Sequence, residues 1–426
     1  LDQLEKQYLA KTGTDKLMLV NPNDWSIKVS EAFTPQKSSS QLSYLYTKNS
    51  LAAPVLASAK HELIISTTAT NYVSVDSFID NKIGSLAMSP QYLTIIASPN
   101  AIEDSFFAYN NTIYGPMYHS TDAWQYSQID SDWLLDLAVG RIYGMTVSDT
   151  SSNIARSIFY DDTLKNPDKV LVTMGSPYMW MVGVVYAMSK AMNATGYRTT
   201  TSYTGTAAVD WKDKFYITYD DHGSENWAGI SYSAIPNLDD TFIVTEACLT
   251  CAFRSPIPKQ QLFCANALRK GAVGYVGAVS IASSMNKEGI MADVFARGST
   301  IGKAFLDAKN SFMAQYGASY NEMGYYSLLG DPTLKIRTMY TMPQPQLNFV
   351  SGNSTDRNYT MMVSAMRFVV PQSIKNLAEN PNDVPVLYFT TAQLTMEHYG
   401  NRFAIWFDPL AGFEPNAITG GWNLMK

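Results

Sequence analysis

Charge is scarce in this sequence. Asp, Glu, Lys and Arg make up only 16% of the chain, where about 25% is usual in soluble proteins. Tyr, Ser, Thr and Asn supply much of the polarity instead, and a surface of this kind favours an exported protein. The net charge of -6 provides no basic surface, so the composition excludes nucleic acid as a partner.

Cysteine is scarcer still. The three cysteines, Cys248, Cys251 and Cys264, lie within 17 positions and do not form the framework of a disulfide-rich domain. The spacing Cys248-x-x-Cys251 occurs in redox pairs and in half-sites for zinc, but no second such pair accompanies it. The segment CLTC also follows a predicted strand, whereas a thioredoxin-like pair begins a helix. Zinc and redox functions are therefore disfavoured.

Long apolar runs are missing as well. The longest dense apolar stretch, roughly Tyr178 to Met188, is too short to cross a bilayer, so a membrane anchor is expected only outside these residues. The chain begins at Leu1, as a processed product does. Four N-x-[ST] motifs favour export, and glycans are expected at Asn110, Asn193, Asn353 and Asn358. We predict an extracellular or cell-surface protein, and association with a cell envelope stays open.

Apolar residues are present in the amount that buried cores need, at 46% of the chain. Short continuous apolar runs such as KLMLV, ELIIST and YLTIIASP alternate with helical stretches over 1–165, and KVLVTMGSP begins a second such series over 166–340. Runs of this kind are typical of parallel strands covered on both faces. Strands separated by Pro, Asn and Gly turns follow. We predict two α/β subdomains with mainly parallel sheets and a β-rich module at 341–426.

Two reactive residues follow consecutive strands of the second unit. His222, one of only four histidines, comes three positions after KFYITY, and Cys248 directly follows DTFIVTEA. The carboxyl ends of such strands often lie side by side and form the crevice where α/β sheets bind ligands. There a thiolate and an imidazole can act as nucleophile and base, and Gly223 lets its N–H approach a substrate closely. The alternatives are a structural histidine in a turn and a cysteine that only fills space.

Several segments resemble one family. The sequence HGS, followed by a strand that ends in AC, resembles the caspase-like cysteine peptidases, and among them the gingipain type most closely. FIVTEACLTCAF is similar to that family's nucleophile segment, LFCANALRKGAVGYVGAVS to the helix and strand after it, and YSLLGDPTLKIR to its closing motif. DLAVGRI resembles the motif that ends the family's first subdomain. The segments occur in the family's order over about residues 1–340.

The resemblance implies two caspase-like α/β subdomains, the second of which carries the site, and a following immunoglobulin-like module. It implies a cysteine endopeptidase that cleaves protein or peptide substrates after a particular P1 side chain. In it Cys248 is the nucleophile, His222 is the general acid/base, and the N–H groups of Gly223 and Cys248 form the oxyanion hole. No cofactor is required. Calcium sites are known in the family, so structural calcium stays open, although no EF-hand spacing occurs.

The sequence departs from the gingipain pattern near the proposed site. Asp220 and Asp221 precede the histidine, and Asp221 replaces the usual glycine; the carboxylates either favour the imidazolium form or are solvated turn residues. The stretch MGSPYMWMVGVVYAMS has no acid where arginine-specific gingipains carry acids, so the P1 residue is not clearly Arg or Lys. The family's tryptophan after AVGYVGAVS is also absent. The candidates for an apolar substrate pocket, or alternatively for ordinary helix core, are Met179, Trp180 and Met181.

Two other functions stay open. A catalytically weak or inactive cell-envelope protein could keep the peptidase fold as a scaffold, because the missing acids, the low charge and the β-rich module all permit it. A carbohydrate-binding surface protein would use the 27 tyrosines as platforms, but no localised motif supports it. If the protein is a peptidase, a disulfide between Cys248 and Cys251 would block catalysis. Cys264 is expected to pack in the core.

Overall fold

Strands and helices alternate along most of the chain. The structure is a computed structural model that describes residues 2–24, 49–99, 101–104, 106–111, 115–120, 122, 124–130, 134–176, 181–224, 226, 227, 229–252, 262–282, 285, 287–316, 325–339, 346–352, 357–362, 365–368, 370–378, 380–383, 387–390, 394–398, 401–405 and 421–423. None of the helices found in these ranges is both long enough and apolar enough to cross a membrane.

Within the described ranges, the first part of the chain contains six strands and five α-helices. The strands are β1 (Lys16–Val20), β2 (Leu63–Ser66), β3 (Tyr92–Ile96), β4 (Phe106–Asn111), β5 (Gly115–Ser120) and β6 (Ala138–Ile142). The helices are α1 (Asp2–Thr12), α2 (Ala53–Lys60), α3 (Tyr72–Leu86), α4 (Val147–Ile158) and α5 (Tyr160–Thr163). The strands predicted from KLMLV, ELIIST, YLTIIASP and DLAVGRI are confirmed. The hairpin of β4 and β5 is not among the predicted strands.

The described residues of the second part form eight strands and five α-helices. The strands are β7 (Lys169–Met174), β8 (Arg198–Ser202), β9 (Tyr216–Asp220), β10 (Asn226–Trp227), β11 (Ile230–Ser231), β12 (Thr241–Thr245), β13 (Ala272–Ala278) and β14 (Tyr326–Gly330). The helices are α6 (Met181–Ala194), α7 (Ala208–Trp211), α8 (Phe263–Arg269), α9 (Lys287–Ala292) and α10 (Ile301–Tyr316). The chain leaves α6 through Gly196, whose φ of +93° is one that glycine adopts without strain.

Ten of these strands form one sheet, in the order β2-β1-β3-β6-β14-β13-β12-β9-β7-β8. Neighbouring strands are parallel throughout, except that β13 and β14 are antiparallel. The predicted mainly parallel α/β fold is therefore confirmed. The four strands from the first part and the six from the second join through one register pair, Leu329 opposite Arg141. The division into subdomains at 165/166 stays a prediction, because both parts contribute to the same sheet.

Both faces of the sheet are buried along its inner strands, which explains why those strands are apolar without interruption. Along β12, Phe242 and Val244 belong to one hydrophobic cluster, which also includes residues of α6, α9 and α10. Ile243 points the other way, into a second cluster that includes residues of α8. This alternation follows from the two-residue period of a strand. The carboxyl ends of β9 and β12 therefore lie between the two hydrophobic clusters.

β4 with β5 and β10 with β11 each form a two-stranded antiparallel sheet. The strands described after residue 340 belong to three further small antiparallel sheets, with α11 (Gln372–Lys375) among them. They are β15 (Gln346–Gly352), β16 (Arg357–Met362), β17 (Ala365–Phe368), β18 (Leu387–Thr390), β19 (Leu394–His398), β20 (Asn401–Ile405) and β21 (Gly421–Asn423). β15, β16 and β21 form one sheet, β17 pairs with β18, and β19 pairs with β20. Strands are therefore present in 341–426 as expected, and an immunoglobulin-like arrangement of them stays a prediction.

Candidate active site

His222 and Cys248 follow two strands that are neighbours in the sheet. β9 and β12 pair in parallel, and Tyr219 lies opposite Thr245 in their register. His222 and Cys248 come three positions after these paired residues, so they occupy equivalent places where the two strands end. The predicted adjacency of the strands is confirmed. The catalytic roles of the two residues stay predictions.

The residues next to this pair are in contact across the strand ends. A Cβ on Gly223 would lie 2.5 Å from the Cβ of Ala247 and 3.1 Å from that of Trp227, so the site excludes any larger residue without a backbone shift. Ala247 is fully buried. Within the described part of the chain, no hydrogen bond is formed by the N–H of Gly223 or of Cys248. Both are thus suited to act as oxyanion-hole donors.

The Asp221 carboxylate lies beside the histidine. It accepts hydrogen bonds from the His222 backbone N–H and from the Ser176 hydroxyl, both at 2.6 Å, and its Oδ1 is 4.0 Å from Nε2 of His222. The Asp221 side chain is only 5% exposed, whereas the His222 side chain is 88% exposed. The alternative that Asp220 and Asp221 are solvated turn residues is wrong, because Asp220 is fully buried as well.

The backbone is strained on both sides of the proposed dyad. Asp221, just before the histidine, has a φ of +146°, and Leu249, just after the cysteine, has a φ of +61°. Positive φ is uncommon for residues with a Cβ, and such positions cluster at functional sites. Glycine at the Asp221 position, the usual residue in gingipains, adopts this φ without strain.

Cys248 is half-buried and contacts the chain after β13. Its Sγ lies 3.4 Å from the backbone N of Ala282, where the sulfur accepts a hydrogen bond, and 3.4 Å from the Ala282 carbonyl oxygen. Leu249, the next residue, donates its N–H to the carbonyl of Ser280 at 3.0 Å. The turn that carries the thiol is therefore held against the segment that follows β13.

A buried ionic cluster, which the sequence did not predict, lies at the ends of the same two strands. Nζ of Lys287 is 3.0 Å from a carboxylate oxygen of Asp220 and 2.9 Å from one of Glu246, and all three residues are buried. Burial and the neighbouring Asp220 raise the pKa of Glu246, although Lys287 opposes the shift. Burial alone would lower the pKa of Lys287, but the surrounding carboxylates outweigh it and raise that pKa.

One signal in the sequence could have indicated this cluster. Asp220 and Glu246 each follow an uninterrupted apolar strand, and each comes two positions before a proposed catalytic residue. Carboxylates at the ends of buried strands need a counter-charge. The sequence does not say which lysine or arginine provides it.

Other predicted residues fall in different surroundings. Met181 is the first residue of α6 and is buried in the hydrophobic cluster, while Met179 and Trp180 lie outside the described residues. Cys251 and Cys264 are fully buried, and all three cysteines are free thiols. Burial, with Cys264 nearby, raises the pKa of Cys251.

Of the glycosylation motifs, Asn193 is exposed and Asn353 lies outside the described ranges. Asn110 and Asn358 lie on β4 and β16. Within those ranges no group of three or more His, Cys, Asp and Glu residues is arranged to hold a metal ion. Glycans and structural calcium therefore stay predictions.

The family can now be assigned. Residues 59–337 match the model of peptidase family C25, which is more than half of the 426-residue chain and includes both His222 and Cys248. The chain belongs to peptidase family C25. The predicted gingipain-type membership is confirmed, and the family supports a cysteine peptidase. No curated protein sequence matches this C25 chain.

Solved structures share the fold of this C25 chain. The Arg-specific cysteine proteinase gingipain R (RgpB) is similar with a TM-score of 0.58 and 13% identity, over 88% of this chain and 90% of that one. In the complex of Porphyromonas gingivalis RgpB pro- and mature domains, the TM-score is 0.57 at 13% identity, over 96% and 99%. A structure described as a protease gives 0.53 at 17% identity, over 83% and 86%. At these identities the likeness shows the fold alone.

Proposed function

We propose that this C25 chain is a secreted or cell-surface cysteine endopeptidase with Cys248 as its nucleophile and His222 as its general acid/base. The observation that supports the proposal best is the contact of Gly223 with Ala247, which joins the segments that carry the two reactive residues. The unusual φ values of Asp221 and Leu249 support it independently, because strain of this kind persists where a site requires it.

In the proposed reaction, the Cys248 thiolate attacks the carbonyl carbon of the scissile peptide bond, and the C=O electron pair moves to oxygen. The N–H groups of Gly223 and Cys248 donate hydrogen bonds to that oxyanion. The His222 imidazolium then gives its proton to the leaving amine as the C–N bond breaks, and a thioester remains. Water, deprotonated by His222, attacks the thioester and releases the acid and the thiolate.

Asp221 is proposed to orient the histidine. Its carboxylate is fixed by the Ser176 hydroxyl at 2.6 Å and lies 4.0 Å from Nε2 of the ring. A fixed carboxylate at this distance restricts the orientation of the imidazole ring, as the third group of a nucleophile–base pair does.

The proposed P1 preference is for a side chain without positive charge. Asp220 and Glu246 end the two strands of the site, but both are already paired with Lys287 at 3.0 and 2.9 Å. A carboxylate with an internal counter-ion is a poor partner for Arg or Lys of a substrate. Met179 and Trp180 stay the proposed apolar lining, whereas the burial of Met181 in the hydrophobic cluster favours the alternative of ordinary helix core for that residue.

The surroundings of the protein are inferred from composition. The low fraction of charged residues, 16%, and the four glycosylation motifs support a location outside the cell or on its surface, with association to the envelope. Protein or peptide substrates follow from the proposed reaction. No cofactor takes part in it, and calcium is proposed only as a structural ion.

The test uses an acyloxymethyl ketone probe, which alkylates the nucleophile of cysteine peptidases. We expect the native protein to be labelled at Cys248 alone, and labelling to be lost in Cys248→Ala and reduced at least 100-fold in His222→Ala. Equal labelling of native and denatured protein would contradict the proposal. Fluorogenic peptides that differ only at P1 then measure specificity; cleavage confined to Arg or Lys peptides would refute the proposed preference.

The second candidate is a catalytically weak envelope protein that retains the fold. The Lys287 cluster supports this candidate, because buried ion-pair networks also occur in proteins in purely structural roles. This candidate predicts that native Cys248 reacts with the probe no faster than a free cysteine peptide does. It also predicts that His222→Ala leaves the rate of labelling unchanged.

A further inference from the structure

The Lys287 cluster is built into the two strands that carry the proposed dyad. Asp220 and Glu246 precede His222 and Cys248 by two positions each. Asp220 is 0% exposed, Glu246 is 6% exposed, and Lys287 is 2% exposed. The Glu288 carboxylate is a further neighbour, 4.0 Å from Nζ and 23% exposed. No other carboxylate of the described residues lies within 4 Å of Nζ.

The same cluster also holds the chain segment that contacts the cysteine. Oε1 of Glu246 accepts the backbone N–H of Met285 at 2.9 Å as well as the Lys287 ammonium at 2.9 Å. Ala282, three positions before Met285, places its own N–H 3.4 Å from Sγ of Cys248. Two groups at the end of β12 therefore hold this short stretch. The Cys248 thiol binds Ala282, and the Glu246 carboxylate binds Met285 and Lys287.

We propose that Lys287 is a positioning residue for Cys248: by binding Asp220 and Glu246 it anchors the segment whose Ala282 N–H donates to the thiolate. The inference rests on the proposed role of Cys248 as the nucleophile. Lys287 does not touch the sulfur and acts only through Ala282 and the end of β12.

Two physical effects make the thiolate depend on this lysine. A hydrogen bond from a backbone N–H to the charged form stabilises that form, and the bond requires Ala282 to stay in place. Without the ammonium, the buried carboxylates of Asp220 and Glu246 also lose their counter-charge, so the end of β12 that carries Cys248 is expected to rearrange. Both effects reduce the fraction of thiolate at neutral pH when Lys287 is replaced.

The experiment measures the rate of Cys248 alkylation by iodoacetamide between pH 5 and pH 10, with the modified residue identified by peptide mass. For Lys287→Met we expect the midpoint of the pH–rate profile to move up by about one pH unit, so that alkylation at pH below both midpoints slows about tenfold. The plateau at high pH should stay unchanged. In Lys287→Arg the midpoint should move up by less than in Lys287→Met, because a guanidinium can still bind both carboxylates.

The matched control is Lys309→Met. Lys309 is another buried lysine, 1% exposed, with its Nζ 4.4 Å from the centroid of the Phe305 ring on α10. Its loss should leave the alkylation profile at the wild-type position. Equal shifts in both lysine variants would reveal general loosening of the protein and overturn the proposal, as would an unshifted profile in folded Lys287→Met.

If Lys287→Met does not fold, a second variant tests the positioning role of Lys287. Asp220→Asn/Glu246→Leu/Lys287→Met removes all three charges together, leaves no unpaired ion, and removes both the ammonium and the acceptor of the Met285 N–H that anchor the segment. An upward shift in this variant supports the proposal, and a wild-type profile overturns it. Alkylation needs a reactive thiol but no turnover. A shifted profile in a protein that cleaves no peptide therefore refutes the proposed function alone, and an unshifted profile in an active peptidase refutes the positioning role alone.

Discussion

Gly223 and Ala247 meet where β9 and β12 end: a Cβ on the glycine would come within 2.5 Å of the alanine Cβ. Side-chain carbons do not approach this closely in folded proteins. Because Gly223 directly follows His222 and Ala247 directly precedes Cys248, any residue larger than glycine must move one half of the proposed dyad relative to the other.

Gly223→Ala is expected to lower kcat/KM about 100-fold, because the shift misplaces an oxyanion-hole N–H. The control is Gly84→Ala. Gly84 lies on α3, where an added Cβ meets nothing within 4 Å, so activity should be unchanged and the free energy of unfolding should rise by about 0.5 kcal/mol. Peptide cleavage and urea unfolding measure the two quantities. Full activity in Gly223→Ala would mean that the contact has no bearing on catalysis.

Asp221 allows a test of backbone strain. Its φ is +146°, which alanine tolerates poorly and glycine tolerates well. Asp221→Ala and Asp221→Gly both remove the carboxylate, so the difference between them reports the backbone alone. We expect the glycine variant to be more stable than the alanine variant by about 1 kcal/mol or more in urea unfolding. Equal stability would show that the backbone relaxes freely here.

Glu62 makes stability depend on pH. It is 2% exposed, and burial, with Asp331 nearby, raises its pKa from 4.5 to about 8. A raised pKa means that the folded protein prefers the protonated acid. The contribution of Glu62 to stability is thus complete below pH 4.5 and is lost as pH rises to about 8, by at most about 1.4 kcal/mol for each pH unit.

Glu62→Gln removes this dependence. The variant should unfold with nearly the wild-type free energy at pH 4.5 and should be more stable than the wild type at pH 8, as measured by urea unfolding at both values. Asp162→Asn, at an exposed position of α5, is the control and should show no such difference. A Glu62→Gln variant that is equally stabilised at both pH values would rule out titration of this carboxyl as the cause.

Arg141 lies where the two groups of strands join, opposite Leu329 of β14. It is fully buried, and its guanidinium donates to both oxygens of Asp122, at 2.6 and 2.5 Å. Arg141→Met leaves a buried carboxylate without its partner, so we expect a loss of about 3–5 kcal/mol in urea unfolding. Arg141→Met/Asp122→Leu should recover part of it. A double variant less stable than the single one would exclude the unpaired charge as the main cause.

The sequence alone determined most of the strands. Runs such as KLMLV and KVLVTMGSP are apolar at every position because both faces of the sheet are covered, and that property is local. The apolar signal is missing in β8, Arg198–Ser202, which lies at the edge of the described sheet. Among the described strands it pairs only with β7, and its residues are half-exposed or exposed. An edge strand can be polar, so RTTTS carries no apolar signal.

The sequence also placed His222 and Cys248 at equivalent strand ends, since consecutive parallel strands tend to be neighbours. Only the tertiary structure decided that β6 joins β14 within a single sheet, because that pairing connects residues about 190 positions apart. Only the tertiary structure assigned Lys287 to Asp220 and Glu246 as well. In the sequence it is one lysine at the start of a helix, and its burial depends on how α9 packs against the ends of β9 and β12.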